Sequence, residues 1–448
     1  MRHAELKQRV IAAIDAEAAH LIAVGEDIYR HPELGFKETR TAGIVGREFQ
    51  RLGLSYLEEL ALTGLKTVVS GSGAAGGPTV AVIGELDSVL VADHPQADPQ
   101  TGAAHCCGHN AQITTMLGVA TGLVRSGVLP ELGGNVALFA VPAEEYVEIE
   151  YRRGLRTAGK TEFLGGKSEL VRLGAFDDVD MAMMVHALAD DSGAIATINT
   201  SCNGFIGKQA RFIGKAAHAG GAPHKGVNAL YAAQIALAAL NAQRETFRDD
   251  DSVRVHPILT RGGGLVNVIP NDVRLETMVR GKTAAAIEDA AAKLDRALRA
   301  GAIALGATVE IDTLPGYMPL LNHRGMVDLF RENFLAFHAP EEWHEVGHGA
   351  WSTDLGDLSH IMPTIEPSIA GFAGVVHGSD WRIVDPNLAY ILPAKLMAMT
   401  IVDLLAEGAR EARELLASYT PPMTKDEYLA FMRRNSRSET FDGARIGH

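Results

Sequence analysis

Apolar positions alternate along the chain between stretches at helical spacing and short continuous runs. The first stretch, 5–29, has apolar residues three or four positions apart and stops at the turn-prone segment 31–35, which predicts an amphipathic opening helix. Further helices are predicted at 41–52 and 112–125. Runs rich in Val, Ala and Met predict buried strands, at 65–69, 79–83, 135–141 and 181–185. Strands alternating with helices predict an α/β domain with a mixed, mostly parallel sheet, whose functional residues lie at the carboxyl ends of strands.

A second pattern begins near residue 200 and predicts a domain of its own. Its elements are a strand at 209–213, a helix at 226–243, strands at 252–259 and 272–279, a helix at 284–305 and a strand at 308–312. This order is that of a ferredoxin-like α+β sandwich. The first pattern then resumes with a helix at 326–338, a strand at 367–376 and a helix at 393–418. We therefore predict one domain from 1–199 plus 317–420, an inserted domain at 200–316, and a polar, aperiodic C-terminal arm or loose tail at 421–448.

Composition narrows the possible partners. The chain has 448 residues, too many for one compact core, and a formal net charge of −14 that disfavours nucleic acid and anionic membranes. No apolar run is long enough to span a membrane, and the N-terminal residues do not resemble a signal peptide, so we expect a cytoplasmic protein that binds a small molecule. The chain has 3 cysteines, two of them adjacent, which predicts reduced thiols rather than a disulfide framework.

Two local motifs carry candidate chemistry. Cys107 and His109 flank a glycine at the start of a predicted helix, and thiolate and imidazole together suit Zn²⁺ and similar ions. A buried cysteine beside an unrelated histidine would give the same pattern. Glu144 and Glu145 directly follow an apolar strand, where one carboxylate can bind a metal and its neighbour can accept a proton from water. Pairs of exposed glutamates are also common on ordinary helices.

Two further histidines follow apolar runs. His186 comes after 181–185 and His377 comes after 369–376, and either one alone could be a core histidine. Together with Cys107, His109 and Glu145 they make five candidate ligands at predicted strand ends. Five ligands are enough for two metal ions.

These motifs belong to a larger set that resembles the M20 family of metallopeptidases and amidohydrolases. The resemblance is to the branch that contains aminobenzoyl-glutamate hydrolases, N-acyl-amino-acid and auxin-conjugate amidohydrolases and proteins similar to β-alanyl-lysine dipeptidase. It covers about residues 29–405. The motifs occur in the family's order: Arg30-His31-Pro32-Glu33-Leu34-Gly35, Glu85-Leu86-Asp87, Cys107-Gly108-His109-Asn110, Pro142-Ala143-Glu144-Glu145, Gly214-Lys215-Ala216-Ala217-His218, Asn267-Val268-Ile269-Pro270 and Ser352-Thr353-Asp354-Leu355-Gly356-Asp357.

The resemblance implies a phosphorylase/hydrolase-like catalytic domain with an inserted dimerisation, or lid, domain. It implies that two Mn²⁺ or Zn²⁺ ions are held by Cys107, His109, Glu145, His186 and His377. It further implies that Glu144 is the general base and that Asp87 supports a metal ligand. The protein would be a homodimer or higher oligomer.

Three residues of the inserted domain receive candidate roles. In the family, the histidine matching His218 stabilises the oxyanion in the site of the other protomer, and Asn267 belongs to the same substrate-binding region. Arg280 is a candidate for gripping a substrate carboxylate, although an arginine that ends a strand is more often a solvated surface group.

The chain also departs from the family pattern, which leaves the substrate open. Asn110 and Gln112 stand where many relatives have Asp and His, and the stretch 146–164 is an addition that is either a surface elaboration or a substrate-shaping loop. The favoured function is hydrolysis of an amide C–N bond in an N-acyl, aminobenzoyl or dipeptide-like substrate. Hydrolytic deamination of an aromatic amine at the same site and a non-catalytic binding protein are the alternatives.

Overall fold

The computed structural model describes residues 2–71, 76–189 and 192–445. The α-helices are α1 (Arg2–Ala16), α2 (Ala18–Tyr29), α3 (Thr39–Arg51), α4 (His109–Arg125), α5 (Ile149–Thr157), α6 (Gly166–Arg172), α7 (Ala229–Gln243), α8 (Ala284–Leu305), α9 (Arg324–Phe334), α10 (Leu355–Ser359), α11 (Leu392–Ser418) and α12 (Lys425–Arg434). The strands are β1 (Leu57–Leu60), β2 (Gly64–Ser70), β3 (Thr79–Glu85), β4 (Val89–Leu90), β5 (Ala103–Ala104), β6 (Asn135–Val141), β7 (Met181–Met183), β8 (His186–Ala187), β9 (Ala196–Cys202), β10 (Gly204–Ile213), β11 (Arg254–Val255), β12 (Ile258–Arg261), β13 (Asp272–Gly281), β14 (Thr308–Tyr317), β15 (Leu320–Leu321), β16 (Trp343–Gly349), β17 (Thr364–Ile365), β18 (Ser368–Ile369), β19 (Phe372–Ala373), β20 (Arg382–Ile383) and β21 (Arg437–Asp442).

These elements form two compact units. Unit 1 contains Met1–Thr200, Leu321–Gly347 and Asp357–Lys425. Unit 2 contains Ser201–Leu320, His348–Gly356 and Asp426–His448.

The central sheet of unit 1 has the strand order β1-β2-β6-β3-β7-β17. Strand β3 runs parallel to β6 and β7, and β17 runs parallel to β7, whereas β1 and β2 join antiparallel at one side. Every residue of β3 is buried, as a strand with helices over its faces requires. Helix α4 packs against β3 and is surrounded by α1, α2 and α11. The expected mixed, mostly parallel α/β fold is confirmed.

The long C-terminal helix of unit 1 is a core helix. Within the described ranges, the helical stretch Asn387–Ser418 is the one that is long and apolar enough to cross a membrane, but 89% of its most apolar window is buried inside the protein. Its apolar residues contact the same core cluster as α1 and α4. This burial accounts for its hydropathy without a membrane.

Unit 2 is an α+β sandwich. Its sheet has the order β11-β13-β10-β14-β21, and α7 and α8 pack on it through a core rich in alanine, valine and leucine. Both helices begin at side-chain caps: Asn228 accepts hydrogen bonds from the backbone N–H of Leu230 and Tyr231, and Thr283 accepts one from that of Ala286. Unit 2 therefore has the ferredoxin-like α+β fold that the sequence predicted for the inserted domain.

The C-terminal stretch 421–448, expected as an arm or a loose tail, contains regular structure in its described part. Helix α12 is followed by β21, which pairs antiparallel with β14 from Thr308↔Asp442 to Thr313↔Arg437. The guanidinium of Arg299 donates two hydrogen bonds to the carboxylate of Glu439. The sequence pattern gave little sign of this strand because it is only partly buried and its partners lie far away in the chain.

Candidate metal centre

The first motif lies where the chain enters α4. Gly108 is the N-cap of this helix and has a φ of 92°, a left-handed conformation that favours glycine. A Cβ at Gly108 would also lie 2.5 Å from the Cβ of Ala187. The turn brings Cys107 beside the strand that begins at His186, and Cys107 Sγ lies 3.4 Å from His186 Nε2.

The second motif follows the last residue of β6. Ala143 has a positive φ of 55°, and the turn points the next two carboxyl groups into the same region as α4. Glu145 Oε1 lies 3.1 Å from His377 Nε2, and Glu144 Oε2 lies 3.8 Å from His109 Nε2. The two adjacent glutamates therefore lie next to different histidines.

His186 and His377 do not directly follow the strands that the sequence predicted before them. The predicted strand 181–185 ends at Met183, and His186 begins β8, where it pairs with Ser368 of β18. The predicted strand 367–376 is wrong as a continuous element, because Gly371 and Gly374 have positive φ and break it into β18 and β19. His377 lies in the loop between β19 and β20, and its backbone N–H donates to Cys106 O at 2.9 Å.

All five residues are thereby brought together. One group that could hold a metal ion contains Cys107, His109 and His186, and another contains Cys107, Glu145 and His377; within each group the ligand atoms lie within 4.8 Å of one another. Atoms that share a zinc ion at about 2.0–2.3 Å are separated by at most roughly 4.6 Å. The arrangement therefore needs little adjustment to bind an ion, and Cys107 belongs to both groups.

The electrostatics of the side chains also fit a cation. Burial raises the pKa of Cys107, but the neighbouring His186 and His109 outweigh burial and lower it to about 5. Burial likewise opposes the charged form of Glu145, yet its contact with His377 lowers the pKa of Glu145 to about 2. A thiolate and a carboxylate are the forms that bind divalent metals. Burial opposes the charged form of His109, but Glu85 and Cys107 raise its pKa well above the usual value, so a metal ion bound at Nε2 would take the place of the proton that faces Glu85.

Asp87 organises this region through both its side chain and its backbone. Its carboxylate accepts hydrogen bonds from the backbone N–H of Glu144 at 3.1 Å and of Glu145 at 2.9 Å. Its carbonyl lies 2.9 Å from His109 Nδ1, closer than its carboxylate at 3.5 Å. A proton on Nδ1 that is donated to this carbonyl leaves Nε2 as the metal-binding atom.

Glu85 and Lys167 were missed as candidate residues. Glu85 Oε2 lies 3.0 Å from His109 Nε2, and Glu85 forms a third possible ligand group with His109 and Glu144. Lys167 is fully buried and makes an ion pair with the other oxygen of Glu85. The signal for Glu85 was present in the motif Glu85-Leu86-Asp87 at the end of β3, whereas nothing in the sequence paired it with Lys167.

The remaining candidates belong to unit 2. His218 is exposed, and its Nδ1 accepts hydrogen bonds from the backbone N–H of Gly220 and Gly221 at 3.2 and 2.9 Å. A neutral His218 therefore carries its proton on Nε2. Asn267 accepts a backbone hydrogen bond from Ala219 in the same exposed region. Arg280 is partly buried and donates to Ser352 Oγ at 2.8 Å, so it is not the freely solvated group of the alternative interpretation.

Comparison with known proteins extends this picture. Residues 200–304 match the peptidase dimerisation domain of the M20 family. The chain is 27% identical to the Xaa-Arg dipeptidase of Mus musculus, over 91% of each chain. It is 24% identical to one of the subunits of the p-aminobenzoyl-glutamate hydrolase of Escherichia coli, over 81% of this chain and 70% of that one. The crystal structure of a dinuclear metal-binding M20 peptidase from Bacillus subtilis has a TM-score of 0.64 and 19% identity, covering 87% of this chain and 99% of the other.

An α/β unit with clustered thiolate, imidazole and carboxylate ligands, combined with these relatives, defines the protein as a metal-dependent hydrolase. Within that class, the resemblance to the M20 peptidases and amidohydrolases is confirmed. The alternative of a non-catalytic binding protein is set aside, because the relatives are hydrolases.

Proposed function

We propose that the protein hydrolyses the amide C–N bond of a small N-acyl amino acid, aminobenzoyl amino acid or dipeptide-like substrate. The supporting observation is that two groups of possible ligands share Cys107, with Glu144 beside them. The proposed cofactors are two Mn²⁺ or Zn²⁺ ions per subunit, held by Cys107, His109, Glu145, His186 and His377. Such ions polarise a carbonyl and lower the pKa of water.

The proposed mechanism assigns the proton transfers to Glu144. Its carboxylate accepts a proton from the attacking water and returns it to the departing amine. The backbone carbonyl of Asp87 accepts the hydrogen bond of His109 Nδ1–H, and its carboxylate accepts that of the backbone N–H of Glu144. In the proposed dimer, the Nε2–H of His218 would donate to the developing oxyanion in the site of the other protomer. Asn267 and Arg280 are the proposed substrate-binding residues.

We further propose a cytoplasmic homodimer. The domain match at 200–304 supports self-association. A ligand thiol such as Cys107 must stay reduced. Cys106, Cys107 and Cys202 are all buried thiols outside any disulfide, which suits a reducing compartment.

The test is an assay of metal-stripped protein that has been reloaded with Mn²⁺ or Zn²⁺. The substrate panel contains N-acyl amino acids, aminobenzoyl-glutamate and dipeptides, including dipeptides that end in arginine, and amino acid and ammonia are followed separately. We expect metal-dependent release of amino acid. We expect Glu144→Gln to lower kcat by about 10²–10⁴-fold, because the general base is lost, with unchanged metal stoichiometry.

Glu150→Gln is the matched control, because it removes the charge of an exposed glutamate from the next helix and should leave kcat unchanged. Release of ammonia without amino acid would favour the aromatic-amine deaminase instead. An equally active Glu144→Gln would refute the assignment of the general base.

A further inference from the structure

The turn that carries Glu144 and Glu145 is conformationally strained. Ala143 has a φ of 55°, in the left-handed region that is unfavourable for a residue with a Cβ. Such a turn persists only where its surroundings hold it. The groups that hold it therefore also set the direction in which both glutamates project.

Buried carboxylates hold the N–H side of this turn. Glu38 Oε1 accepts the backbone N–H of Ala143 at 2.8 Å, and the Thr63 hydroxyl donates to Glu38 Oε2 at 2.6 Å. The N–H groups of Glu144 and Glu145 go to the carboxylate of Asp87. Three consecutive amides are thus fixed by two side chains.

Arg152 binds backbone carbonyl groups of the same turn. It lies on α5, in the added stretch 146–164, and only 1% of its surface is exposed. Its Nη1 donates to Leu164 O at 2.7 Å and to Ala143 O at 3.2 Å, and its Nη2 donates to Glu145 O. The guanidinium also lies over the ring of Phe36, 5.3 Å from the centroid.

We propose that Arg152 is a positioning residue of the metal centre. The peptide before Glu144 is held at its carbonyl by Arg152 and at its N–H by Asp87, and the peptide after Glu144 is held at its N–H by Asp87. Glu38 and the second contact of Arg152 hold the next peptide on each side, at Ala143 N–H and Glu145 O. A planar guanidinium can serve three carbonyls at once, whereas a lysine ammonium cannot reproduce this fork. A simple anchor for α5 would need no bond to Ala143 or Glu145, yet two of the three acceptors are these residues.

The kinetic part of the test rests on the proposed function, and the metal-binding part does not. The variant is Arg152→Ala, and the matched control is Arg153→Ala, which removes the next arginine of the same helix. We expect Arg152→Ala to weaken metal binding by about 10–100-fold, since Glu145 lies on the released turn. The measurement is competition with a chromogenic chelator, well below the unfolding temperature of each variant.

With an amide substrate, kcat should fall by about 10²-fold while KM changes much less, because Glu144 is misdirected rather than removed. Millimolar guanidinium, which fits the space left by Arg152→Ala, should restore part of the lost kcat and metal affinity, and it should have no effect on Arg153→Ala.

Metal affinity and kcat both within about two-fold of the unsubstituted protein would overturn the proposal, given that supporting groups of this kind contribute 10-fold or more. If Arg152→Ala does not fold, Arg152→Lys is judged by the same criteria. If the unsubstituted protein binds metal but cleaves no amide, the proposed function fails, and the chelator competition alone decides the role of Arg152.

Discussion

At the scale of single residues, Glu85 and Lys167 form a buried ion pair inside the candidate metal centre. Both side chains are buried and form an ion pair next to His109. Burial disfavours a charged carboxylate, but Lys167 and His109 outweigh burial and lower the pKa of Glu85. The pair therefore stays charged in the interior, where an ammonium facing a neutral group is costly.

Glu85→Gln should destabilise the metal-free protein by about 3–5 kcal/mol, because it leaves the buried ammonium of Lys167 opposite a neutral amide. Urea unfolding of the metal-free form measures this without a contribution from metal binding. Adding Lys167→Met removes the buried charge, so the double variant should recover much of the loss. A Glu85→Gln variant as stable as the unsubstituted protein would contradict this account of the pair.

Most long helices and strands could be predicted from the local spacing of apolar residues. The residues that make up the candidate metal centre could be predicted only in part. Helix α8 and strand β6 lie at the predicted bounds because their apolar spacing is regular. The opening helix is instead two helices that meet at Glu17, and the segment before His377 breaks at glycines whose φ depends on distant packing. Cys107, His109 and Glu145 were accessible through their motifs, whereas the contacts of Arg152 and Lys167 depend on tertiary structure.

Strand β21 allows a prediction at the scale of elements. Arg299 and Glu439 are partly exposed, so their ion pair should contribute only about 0.5–1 kcal/mol. The hydrogen bonds from Arg299 lower the pKa of Glu439, so this contribution is present above the pKa of the unfolded chain and is lost as the pH falls. Arg299→Ala should therefore reduce the hydrogen-exchange protection of β21 by roughly two- to five-fold at neutral pH.

At low pH, Arg299→Ala and the unsubstituted protein should show nearly equal hydrogen-exchange protection of β21, because Glu439 is then protonated. Arg296→Ala is the control, since it removes an exposed arginine from the same helix. Equal loss of protection in both variants would mean that the charge of α8, rather than the pair with Glu439, stabilises the strand.

At the scale of the whole molecule, unit 2 has an edge suited to self-association. Strand β12 pairs with β13 at the side of the sheet opposite β21, and all four of its residues are exposed. Ile258 is 61% exposed and Leu259 is 42% exposed. An exposed apolar edge strand is a template for pairing with another chain, and it lies within the matched dimerisation domain.

If the proposed dimer pairs through this edge, Ile258→Lys should shift it toward monomer, because a charge on a paired edge must be desolvated when a second copy binds. Sedimentation velocity over a range of protein concentrations measures the change in mass. Leu57→Lys is a closely matched control, because Leu57 is 62% exposed and belongs to unit 1. If Ile258→Lys keeps the mass of the unsubstituted protein, the proposed interface does not use the β12 edge. If Leu57→Lys lowers the mass as well, an added surface charge rather than the β12 edge controls assembly.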